Sequence, residues 1–160
     1  MTFLTTSTKS SLSMLMIFTQ LVVSSPFAPA KGATPPMTKC HIEVFDAHIS
    51  TFIRRTQGKE AVKVNAESKC DKPIRNLRLT VEIYKIGRFR DHYVATHTLE
   101  IDGLVYANQL IRNQATFKYC KNTKSSKYYG IAHAEAIVNG IHMQTVRAQS
   151  ENKPPLKCGT

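Results

Sequence analysis

The decapeptide NLRLTVEIYK, residues 76–85, alternates without a break. Leu77, Leu79, Val81 and Ile83 fall on one side of an extended chain, and Arg78, Thr80, Glu82 and Tyr84 on the other. Successive side chains of a strand point to opposite faces, so this pattern describes a strand with one face in an apolar core and the other toward water. The same period recurs upstream, where Val62, Val64, Ala66 and Ser68 alternate with Lys63, Asn65, Glu67 and Lys69 before Cys70. Asp71-Lys72-Pro73 then breaks the run. Further strands are expected over residues 41–45, 93–101, 115–120, 129–138 and 141–148.

Helical periodicity is nearly absent. Leu104, Ala107, Asn108 and Ile111 have the spacing of one face of a short helix, and residues 104–113 are read as a loop with at most one helical turn. Short strands separated by turn residues at this spacing predict an all-β fold, an antiparallel β-sandwich that is immunoglobulin-like in general architecture.

Four cysteines, Cys40, Cys70, Cys120 and Cys158, admit three pairings as two disulfides. The midpoint of Cys40 and Cys70 is Arg55, just before Thr56-Gln57-Gly58. That of Cys120 and Cys158 falls on Asn139-Gly140, the dipeptide that best supplies the two positive φ angles of a tight hairpin turn. If each midpoint is the tip of a long hairpin, its flanking cysteines meet across the ladder. The expected pairs are therefore Cys40–Cys70 and Cys120–Cys158. Each closes a loop of some 30 to 40 residues, which on the chain-entropy model stabilises by roughly 3 to 4 kcal/mol.

The amino end carries Lys9 as its one charge, then an apolar and small-polar run from Ser11 to Val23, then Ala28-Pro29-Ala30. This has the order of a secretory signal peptide. Its apolar stretch is about a dozen residues, short of the ~20 that span a bilayer, and no later run reaches even that length. Residues 1–30 are read as a leader cleaved after Ala30, with Ala33 the second choice. Residues 31–39 are read as a flexible mature amino terminus and residues 40–160 as one β domain. An exported product agrees with an even cysteine count. The full chain has a formal charge of +11. Loss of Lys9 alone leaves the mature chain at +10, a charge that favours anionic surfaces.

Motifs for catalysis are thin. His133-Ala134-Glu135 matches the His-x-Glu of zinc deaminases, but those enzymes complete the metal shell with Pro-Cys-x-x-Cys. Here only Pro155-Leu156-Lys157-Cys158 follows, and that cysteine is expected to be oxidised. The run GIAHAEAIV is better read as a strand whose small face, Gly130, Ala132, Ala134, Ala136 and Val138, is buried against something close. His41, Asp46, His48 and His97 form no known metal spacing and are read as separate polar residues on solvated strand faces. No Gly-x-Ser-x-Gly elbow, free thiol or phosphate-binding glycine loop is present, so no cofactor and no catalytic residue is assigned. Glu43, Asp46, Glu82 and Glu100 remain the acids from which a hydrolase would have to be built.

Basic residues mixed with aromatics carry the stronger signal. Lys85-Ile86-Gly87-Arg88-Phe89-Arg90-Asp91-His92-Tyr93 reads as a strand end and a loop tip, turned at Gly87 or Asp91, and residues 121–127 as a solvated basic loop. Arg88, Arg90, Lys118, Lys121, Lys124 and Lys127 are the candidate anion-binding residues.

The order Cys40, Cys70, Leu77-x-Leu79-x-Val81-x-Ile83-Tyr84-Lys85, Cys120, Cys158 resembles the small secreted four-cysteine β proteins of actinobacteria. That resemblance implies export and a β fold and carries no activity with it. The expected function is a secreted, non-enzymatic binding or surface-interaction protein with a basic face. Its partner is an anionic cell-envelope polymer, glycan or lipid head group, or a protein, and not a specific nucleic acid. The rivals are a small secreted hydrolase on the same scaffold and an inhibitor or toxin that docks on a protein.

Overall fold

The structure, a computed structural model, describes residues 38–144, 147–151 and 154–160. The expected leader and residues 31–37 of the expected flexible tail lie outside the described residues. Lys39, the last residue of that tail, is tied down: its amide donates to Asp71 Oδ1 at 2.9 Å and its carbonyl accepts from the Asp71 amide at 3.0 Å.

The elements run β1 (Cys40–Val44), β2 (His48–Ile49), α1 (Thr51–Gln57), β3 (Ala61–Cys70), β4 (Ile74–Lys85), β5 (His92–Val105), β6 (Ile111–Tyr119), β7 (Asn122–Ser126), β8 (Tyr128–Val138), β9 (Ile141–Gln144), β10 (Ala148–Gln149) and β11 (Leu156–Gly159). Every pairing is antiparallel. In the first sheet β3 is central, with β1 and β2 sharing one of its edges and β6 on the other. In the second, β4 lies between β5 and β8, and β9 and β10 share the far edge of β8. β7 and β11 form a separate two-stranded ladder.

The two larger sheets pack face to face. The inner face of the first is Val62, Val64, Ala66 and Ser68; that of the second is Leu77, Leu79, Val81 and Ile83 beside Ala132, Ala134 and Ala136. All are buried, and the antiparallel sandwich expected from the spacing of the strands is what forms. The small face of β8 lets the other sheet approach closely. A Cβ placed on Gly130 would lie 2.3 Å from Val64 Cγ1.

Both disulfides form as expected, Cys40–Cys70 and Cys120–Cys158, and both for the reason expected. β1 and then β2 run back along β3, from Cys40 opposite Cys70 to Ile49 opposite Val62, with a slip of one residue between them. In the second hairpin, Asn139 (φ 50°) and Gly140 (φ 79°) make the turn. β9 and β10 return along β8, and β11 along β7, to reach Cys120.

Three local expectations are corrected. The first hairpin ends in helix α1, not a plain turn. Ser50 caps it by accepting from the Ile53 amide, and Gly58 (φ 64°) ends it. Only Ile53 of its side chains is buried, so no apolar face announced it. The loop expected over residues 104–113 is shorter, residues 106–110: β5 continues through Val105, which pairs with Ile74, and β6 starts at Ile111. The turn between them is closed by the Tyr106 amide donating to Gln109 Oε1 and by Asn108 at φ 61°. Residues 121–127 are mostly strand β7. Its side chains are largely exposed, so it lacks alternation and owes its shape to its partner β11.

Candidate functional site

The inner faces of the two sheets run out at one end of the sandwich, and lysines take over. On β4, Lys85 has the parity of Leu79, Val81 and Ile83. On β6, Lys118 has the parity of buried Thr116 and stands opposite Val62 of β3. Buried positions give way to charge only where the space between the sheets opens to water. There Lys85, Lys118 and Lys121 border an open cleft of 570 Å³ with His92, Tyr93 and Val94. None of the described side chains that line it is acidic. Lys85 Nζ also lies 3.5 Å from the Thr160 backbone oxygen.

Of the six candidate cations, the structure thus brings Lys118 and Lys121 together and adds Lys85 and His92, which sequence reasoning did not nominate. The missed signal for Lys85 was its place in the alternation, at the next inward position after Ile83. Lys124 lies on exposed β7, and Lys127 just before β8. The Lys127 backbone oxygen accepts from the Ile86 amide at 2.9 Å, which fixes the β4–β5 tip beside it.

That tip, residues 86–91, carries Arg88 and Arg90, both exposed. Asp91 closes it: its carboxylate accepts from the Gly87 amide at 3.3 Å and from the Tyr129 hydroxyl at 2.9 Å. Three tyrosines on the outer face of the second sheet stand directly behind. Tyr84 and Tyr129 are cross-strand partners stacked at 5.4 Å, and Tyr93 meets Tyr84 edge-on at 5.9 Å. Burial, and then the hydrogen bond and negative charge of Asp91, push the Tyr129 phenol up to about 12. Burial and the neighbouring Glu82 raise Tyr84 as well.

The residues that would serve catalysis are spread over the molecule. His133 and Glu135 lie on the outer face of β8, opposite Thr80 and Arg78. Glu82 meets Arg147 at 3.4 Å, and Glu100 meets Arg78 at 2.9 Å. His48 Nδ1 donates to the backbone carbonyl of its neighbour Asp46 at 3.0 Å.

His97 corrects the expectation of a solvated strand face. It shares the inner face of β5 with Leu99 and meets Asn113 Oδ1 through Nδ1 at 3.2 Å. Asn113 is buried on β6, and its amide nitrogen donates to the carbonyls of Leu79 and His97, both at 2.9 Å. Those two donations fix Oδ1 as an acceptor, so Nδ1 of His97 carries the proton. The cluster is a structural bridge between the sheets. Among the described residues no group of three or more His, Cys, Asp or Glu side chains is arranged to hold a metal ion. Among them, too, no helix is long and apolar enough to cross a membrane.

No protein-family model matches the chain, and no curated protein is significantly similar to it. Two disulfides mark a protein that folds in an oxidising environment.

Proposed function

We propose that this is a secreted, non-enzymatic binding protein of the four-cysteine β type, which meets an anionic partner with the basic end of its sandwich. The observation that carries the reading is the cleft bordered by Lys85, Lys118 and Lys121, which has no acidic side chain among its described lining residues. Ammonium groups gathered this way raise the local potential and draw in anions, and the net charge of +10 on the mature chain acts in the same direction at longer range. A hydrolase would need acids or an acid and a histidine converging on one pocket. Here Glu82 and Glu100 are each engaged by an arginine on a sheet face, away from the lysines. Arg88 and Arg90 on the neighbouring tip extend the cationic surface beyond the cleft and suit phosphate, sulfate or carboxylate groups.

The test is retention on an immobilised polyanion as salt is raised. The wild-type chain should elute progressively earlier as the screening length falls from ~10 Å at 0.1 M toward ~3 Å at 1 M. Lys85→Gln, Lys118→Gln and Lys121→Gln together should weaken binding roughly tenfold or more and flatten the salt dependence. Retention by the triple variant equal to that of the wild type refutes the site.

A further inference from the structure

Phe89 stands at the apex of the β4–β5 tip between Arg88 and Arg90, and at 92% exposure it is the most exposed large hydrophobic residue among those described. A lone apolar side chain on a surface is ordinary, but this one has a built setting. The tip does not float: Asp91 ties it to the Gly87 amide and the Tyr129 hydroxyl, and the Ile86 amide ties it to Lys127. The Arg88 guanidinium sits 5.5 Å from the centre of the Phe89 ring, so cation and apolar ring are presented together. Behind them come Tyr84, Tyr93 and Tyr129. Tyrosine is the residue type, with tryptophan, that concentrates where water meets lipid head groups.

We infer that this tip is a membrane-contact finger and that the partner is an anionic lipid bilayer. The inference rests on the proposed anion-binding role of the basic end and gives that role its partner. Phe89 enters the boundary between head groups and acyl chains. Arg88 and Arg90 stop at the level of the lipid phosphates, which guanidinium groups hold in a fork. The tyrosines sit at head-group depth, and Lys85, Lys118 and Lys121 supply the longer-range attraction to a negative leaflet. A soluble polyanion satisfies the lysines equally well but leaves an apolar ring at the apex in water. That difference favours the bilayer.

The chain contains no tryptophan, so Phe89→Trp places a single reporter on the apex. It is read in the disulfide-bonded mature chain, residues 31–160, titrated with vesicles of phosphatidylcholine alone or mixed with phosphatidylglycerol, and with soluble polyphosphate. The expected result is a blue shift and protection from an aqueous quencher with the anionic vesicles only. Phe89→Ala should weaken partitioning onto the same vesicles roughly tenfold and leave polyphosphate binding unchanged. Because the side chain is solvent-exposed, both variants should unfold at the wild-type temperature, which separates a binding loss from a folding loss. A vesicle-bound Phe89→Trp protein whose indole emission stays unshifted and open to quencher overturns the finger and leaves the anion-binding reading standing. Failure to bind either vesicles or polyphosphate overturns both.

Discussion

Gly130 has no side chain because Val64 occupies the place where one would be, 2.3 Å from an ideal Cβ. Gly130→Ala must push β8 away from β3, and overpacking of this kind costs roughly 1–3 kcal/mol. Denaturant unfolding should show that loss, and Val64→Ala in the same chain should recover part of it. Additive losses would mean that the two residues do not compete for one volume. Tyr129 makes a separate prediction at this scale. Its phenol ionises at about 12 in the folded chain and near 10 in an unfolded one. The folded state therefore holds that proton more tightly, and the contribution to stability is complete below about pH 10 and lost as the pH rises through about 12. Absorbance titration of the phenolates should show a late step that Tyr129→Phe removes, and the same variant should soften alkaline unfolding in that window. A profile unchanged by the substitution would contradict the burial and the Asp91 contact.

The β7–β11 ladder is the element that depends most on its cross-link. Two strands alone are marginal in water, and β7 is almost wholly exposed. What holds the pair is Cys120–Cys158, the Lys121 amide on the Gly159 carbonyl at 2.7 Å and the buried Tyr128 hydroxyl on the Cys158 carbonyl at 2.6 Å. In Cys120→Ala/Cys158→Ala, amides of β7 and β11 should exchange with solvent well ahead of those in β4 and β8, through local opening. Uniform exchange across all strands would show that the ladder is not a separate unit. Strands β3, β4 and β8 were legible because each buries one face, and burial writes a period of two into the sequence. β7 was not, since a strand with water on both faces has no such period. Helix α1 was missed for a related reason. Its signals are its caps, Ser50 and Gly58, and only one of its side chains is buried.

At the scale of the whole molecule, each disulfide pins its own hairpin, with sequence separations of 30 and 38. On the chain-entropy model the two together contribute on the order of 7 kcal/mol, comparable to the whole stability of a typical domain. Full reduction should lower the midpoint of thermal unfolding by about 20–30 °C. A shift of a few degrees at most would mean that the apolar core suffices without them. The same covalent dependence suits a chain that folds under oxidising conditions.

The sequence by itself determined which side of each long strand is apolar and where the Asn139-Gly140 turn falls, and it pointed to the cysteine pairing that two hairpins would give. These properties follow from alternation and from the symmetry of a hairpin about its tip, and both are local. Only the tertiary structure decided that Lys85 of one sheet and Lys118 of the other border the same cleft. Only it turned His97 inward to Asn113 and gave polar β7 a partner. Which strands become neighbours, and where the space between two sheets opens to water, depend on long-range pairing, and alternation within a single strand does not encode that.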